Sequence, residues 1–97
     1  MRTFEEIKEI LIKHKDEIRK KFKVREIGIF GSYVKKGQKR KSDIDILVEF
    51  EEPIGLFEFM DLEEYLGNLL GTKIDLVSKK ALKPYIGKYI LKEVVYL

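Results

Sequence analysis

Between Ser42 and Phe50 the chain reads Ser-Asp-Ile-Asp-Ile-Leu-Val-Glu-Phe, and this run constrains the fold more than any other. Ile44, Ile46, Val48 and Phe50 fall on one side of an extended strand; Asp43, Asp45, Leu47 and Glu49 fall on the other. A strand of this kind must bury one face, so something apolar has to cover it. The aspartate side is left to face solvent or substrate.

The rest of the chain supplies the cover. Thr3 and Glu6 have the spacing of a helix-capping box. Phe4, Ile7, Leu11, Ile18 and Phe22 then recur at helical spacing, which predicts one amphipathic helix running to about Lys21. His14 lies on the same stripe and reads first as a partly buried helix residue. Val24–Phe30 predicts a strand that Gly31-Ser32 ends. Tyr33–Lys36 could form a single helical turn, followed by a polar loop over Gly37–Lys41. Leu56, Phe59, Leu62, Leu66, Leu69 and Leu70 mark another helix, stopped by Gly71. Lys73–Val77 predicts a short strand, and Pro84 suits the first turn of a last helix over Tyr85 to about Val95. The expected order is α-β-β-α-β-α. It corresponds to an α+β (mixed α/β) fold: a small mixed sheet of about three strands with helices packed on one face.

At 97 residues the chain is expected to form one domain, residues 1–97, with an open cleft that a partner completes. It has no cysteine, so disulfides and thiolate metal sites are excluded. No apolar run approaches the roughly 20 residues needed to span a bilayer, and the N-terminus turns acidic too early for a signal peptide. A cytoplasmic location is expected. Charged residues make up 38% of the sequence, and Gln38 and Asn68 are the only side-chain amides, a composition typical of thermophiles. The net charge of +3 does not demand a nucleic-acid partner, but charge is unevenly spread. Lys35, Lys36, Lys39, Arg40 and Lys41 crowd one segment; acids crowd Glu49–Glu52 and Glu58–Glu64. The basic run reads either as a solvated turn or as a guide for a triphosphate or RNA. The tail Val94-Val95-Tyr96-Leu97, with Tyr89, either closes the core or meets another protein.

Asp43 and Asp45 point to the same side of their strand. Two neighbouring carboxylates repel unless a cation neutralises them, and a hard divalent ion bound through oxygen does this best. Asp75, between Ile74 and Leu76, projects away from the core those two build. If its strand adjoins the first, three carboxylates converge and can hold a metal pair suited to displacement at phosphorus. A calcium loop of the EF-hand type starting at Asp43 fits poorly, because it would need Gly at Val48 and Glu at Ile54. Gly31 permits close backbone approach to an anion, and the following amides with the Ser32 hydroxyl could cradle a phosphate.

Phe30-Gly31-Ser32-Tyr33-Val34-Lys35-Lys36-Gly37, a spacer, Ser42-Asp43-Ile44-Asp45 and a later Asp75 together resemble the nucleotidyltransferase superfamily that includes DNA polymerase beta. The nearest resemblance is to its minimal nucleotidyltransferases, and it extends over essentially the whole chain. The resemblance implies that Asp43, Asp45 and Asp75 ligate two Mg2+ ions and carry catalysis. It implies that Asp75 helps activate an acceptor hydroxyl, and that Gly31 and Ser32 hold the distal phosphates of ATP, with Lys35 and Ser42 beside them. Lys35 stands where the family often has Arg, which keeps the charge but not the bidentate fork. Stand-alone members resemble antitoxins that transfer AMP from ATP to a tyrosine of a helical ribonuclease toxin of the HEPN class. That implies a protein partner, with nucleic acid not the main one and no membrane. Two other readings remain at this point: an antitoxin that acts by binding alone, and an enzyme acting on RNA ends or small molecules.

Overall fold

The computed structural model describes residues 3–31 and 43–97. Helices α1 (Phe4–Lys13) and α2 (Lys15–Phe22) lead into β1 (Val24–Phe30). Strand β2 (Ile44–Phe50), helix α3 (Leu56–Leu70) and strand β3 (Ile74–Ser78) follow. A short 3-10 turn over Lys79–Ala81, helix α4 (Pro84–Glu93) and strand β4 (Val95–Tyr96) complete the chain. The sheet order is β3-β2-β1-β4; β1 runs antiparallel to both β2 and β4, and β2 is parallel to β3.

One sheet face carries the core. Ile27 and Ile29 of β1, Ile44, Ile46 and Val48 of β2, and Ile74 and Leu76 of β3 pack against Ile7, Leu11 and Ile18 from α1 and α2. Leu62, Leu66 and Leu70 of α3 join the same cluster. Val24 belongs to it too because the ladder slips between Val24 and Glu26, leaving Arg25 as an extra residue. The capping box at Thr3 forms as predicted: the Glu6 amide donates to Thr3 Oγ1 (3.2 Å), and the Thr3 amide donates to Glu6 Oε1 (2.8 Å). Gly71 closes α3 at φ +69°, its N–H donating to the Gly67 carbonyl (2.8 Å).

Three expectations need correction. The predicted single N-terminal helix is two, interrupted at His14. There the Nδ1–H of the ring donates to the Ile10 carbonyl (2.9 Å), in competition with the backbone N–H of the same residue (3.2 Å). The sheet has four strands rather than about three, because Val95–Tyr96 pairs with Gly28–Ile29. The tail is therefore spent largely on the fold. Leu97 packs on the core, its N–H donating to the Ile27 carbonyl (3.0 Å), while Lys15 Nζ donates to the Leu97 carbonyl (2.6 Å). Finally, the aspartate side of β2 is not open throughout: Leu47 on that side is only 1% exposed. Its cross-strand neighbour is Gly28, and a Cβ on Gly28 would come within 2.6 Å of Val94 Cγ2. The missing side chain lets Val94 settle on this outer face. The proposed turn at Tyr33–Lys36 and the loop at Gly37–Lys41 lie outside the described residues.

Candidate active site

Register brings the first pair of carboxylates together. Asp45 and Asp75 are Cα partners across the parallel β2–β3 ladder, and alternation turns both away from the core. Their carboxyl groups stand close enough to act on one another. Two facing carboxylates repel unless one of them holds a proton or a cation stands between them. Partial burial, followed by the negative charge of Asp75, raises the Asp45 pKa to about 6; Asp43 and Glu93 add smaller repulsions. Asp43 stands exposed, one residue before β2.

Gly31 closes the site from the other side. It follows β1 directly, with φ +82°, a conformation that strains any side-chain-bearing residue. Phe30 pairs with Asp45, and a Cβ on Gly31 would overlap the Asp45 carboxylate. The backbone at Gly31 thus lies against the most perturbed acid of the chain. Among the predicted site residues, Asp45 meets both Asp75 across the ladder and the backbone of Gly31, and Asp43 acts on Asp45 through its charge. Ser32, Lys35 and Ser42 lie outside the described residues.

The donor set fits a hard divalent cation in kind: all-oxygen ligands, crowded negative charge, and a carboxylate whose ionisation is held back by burial and then by its neighbour's charge. As it stands, no group of three acids or histidines among the described residues is close enough to chelate an ion. Glu93 is the residue that sequence reasoning missed. It ends α4, and the pairing of Val95 with Ile29 places it at the same end of the sheet as Gly31. No local motif marks it; only the β1–β4 ladder brings it there. The apolar groove lined by Phe50, Ile54, Leu56 and Leu76 lies at the opposite ends of β2 and β3 and contains none of these carboxylates.

An acid pair on neighbouring strands, with a glycine turn at a strand end packed against one of its members, is thus the candidate site of this mixed sheet. The chain belongs to the nucleotidyltransferase family, whose domain model matches residues 11–97. It is 57% identical over 97 residues to the protein adenylyltransferase MntA of Thermococcus cleftensis, covering 100% of this chain and 98% of that one. Among solved structures, it resembles a chain of a toxin–antitoxin complex with AMP-PNP, at 26% identity and TM-score 0.75, covering 91% of this chain and 69% of that one. It also shares the fold of a chain from the complex of a tri-AMPylated Shewanella oneidensis HEPN toxin with its MNT antitoxin. There the TM-score is 0.70 at 21% identity, over 93% of this chain and 70% of that one. Among the described residues no helix is long and apolar enough to cross a membrane.

Proposed function

We propose that this chain is a cytoplasmic, single-domain antitoxin that transfers AMP from ATP to a tyrosine hydroxyl of a partner HEPN ribonuclease toxin. The reading is supported above all by the Asp45–Asp75 pair, a carboxyl couple held together by the ladder although like charge opposes it. An antitoxin that only occluded its partner would gain nothing from that cost. The names of the similar proteins supply the donor and the partner class: an adenylyltransferase, an AMP-PNP complex and an AMPylated HEPN toxin.

In this reading the tyrosine oxygen forms a new bond to the α-phosphorus. The bond from that phosphorus to the bridging oxygen breaks, pyrophosphate leaves with its electron pair, and the phenolic proton passes towards Asp75. Gly31 and Ser32 hold the distal phosphates through backbone amides and the hydroxyl, with Lys35 and Ser42 alongside. Asp43, Asp45 and Asp75 would hold two Mg2+ ions, which supply charge neutralisation at the triphosphate. The partner supplies the wall that positions the acceptor, a contribution of roughly 7–11 kcal/mol to barrier lowering in well-oriented systems.

The test is incubation of the chain with its cognate toxin, ATP and magnesium, followed by mass spectrometry of the toxin. The expected result is added AMP on a tyrosine, absent with Asp75→Asn. A toxin that is inhibited yet gains no mass would show inhibition by binding alone.

A further inference from the structure

The acidic segment noted in the sequence is not used by the site. None of the chain's 20 lysines and arginines falls between Ser42 and Thr72. Helix α3 lies within that stretch and carries Glu58, Asp61, Glu63 and Glu64 with no basic residue. Its inward face, Leu62, Leu66 and Leu70, is buried in the core. Its solvent side carries two large apolar side chains among its acids: Phe57 is 79% exposed and Met60 51%. Phe57 and Met60 border a shallow hollow of about 710 Å3 that runs past Asp61, Glu63 and Glu64 to Gly67, with Lys73 at its far end. Gly67 adds no side chain to fill it.

We propose that this outward face of α3 is a docking surface for a basic amphipathic helix of the protein partner. Phe57 and Met60 meet the partner's apolar stripe, and Asp61 and Glu64 meet flanking Lys or Arg side chains. Charge selects this occupant. Nucleic acid and anionic membranes carry the same sign as the rim and are repelled. A second copy docked face to face would set acid against acid. A helix with Lys or Arg beside its apolar stripe matches both the exposed aromatic and sulfur side chains and the negative rim. The assignment rests on the toxin reading only for the identity of the partner.

The experiment measures binding of the cognate HEPN toxin to immobilised full-length chain at low and high salt, alongside AMP transfer to the same toxin. Phe57→Ser/Met60→Ser is expected to weaken binding by about tenfold or more at both salts, chiefly through faster dissociation. Asp61→Lys/Glu64→Lys is expected to slow association at low salt, with the difference fading at high salt as the charges are screened. All four positions are exposed, so melting temperatures should match wild type, and a variant that melts early is replaced by the other pair. Wild-type binding by both double variants overturns the docking surface while leaving the proposed reaction standing. Loss of binding as expected, with no AMP on the toxin when wild type is used, upholds the surface and overturns the reaction. A wild-type chain that forms dimers dissolved by Phe57→Ser/Met60→Ser, or that does not bind the toxin, overturns the proposal.

Discussion

The backbone of Gly31 and the carboxylate of Asp45 fill each other's space: a Cβ at position 31 would overlap the Asp45 side chain, and the glycine sits at φ +82°. Gly31→Ala therefore meets two penalties, backbone strain and displacement of the acid. Gly71, at φ +69° with nothing within 4 Å of a new Cβ, meets only the first. Gly71→Ala should cost about 1 kcal/mol of stability and leave transfer unchanged. Gly31→Ala should cost more, about 1–3 kcal/mol, and depress transfer strongly. Urea denaturation and a transfer assay on both variants check the contrast; equal activities would disconnect Gly31 from the site.

Asp45 gives a pH signature. Its pKa is raised from 3.8 to about 6 on folding, mainly by burial and then by Asp75. Between those values the folded chain binds more protons than the unfolded one, so this group's contribution to stability falls as pH rises and levels off above pH 6. Asp45→Asn removes the penalty. The variant should melt higher than wild type at pH 7–8, with the difference vanishing near pH 4. Thermal melts across that range that stay parallel would contradict the assignment.

Under the proposed reading, magnesium competes with the proton for the same carboxylates. Adding it should raise the melting temperature of wild type at pH 8 more than at pH 5. The gain should shrink in Asp43→Asn and Asp75→Asn, both of which change exposed side chains. Scanning calorimetry with and without the ion reads this directly, without any acceptor present.

Leu47 tests the outer face. It is 1% exposed yet lies opposite the main core, next to Gly28 and near Val94. Leu47→Ala should cost about 2–5 kcal/mol, as in an ordinary core position. A cost below 1 kcal/mol would mean that its cover is loose and collapses easily.

Much of this arrangement could be read from the residues, and the exceptions have physical causes. Alternation along Ile44–Phe50 and the isolated Asp75 between Ile74 and Leu76 fix which way the acids point, because side-chain direction in a strand is local. Whether the two strands adjoin is not local, and their register settled it. The covered side of Leu47 was missed because alternation assigns a face but not what lies on it. Strand β4 was missed because two residues, Val95 and Tyr96, carry no period, and because their pairing depends on Gly28, nearly seventy residues earlier. The break at His14 was hidden by a helical stripe that continues across it; a side-chain bond to one carbonyl leaves no mark on apolar spacing.

The Asp45–Asp75 spacing is set by the β2–β3 ladder and not by the path between the strands. The turns before and after α3 could lengthen or shorten without moving the two acids apart, provided the helix keeps its place on the core and the ladder re-forms. A slip of one residue along that ladder would turn Asp75 inward among the isoleucines and push Ile74 or Leu76 into its place. Descendants of such a chain would thus be free to vary in length at the turns around Gly55 and Gly71, whereas under the proposed reaction a one-residue slip of β3 against β2 would abolish transfer.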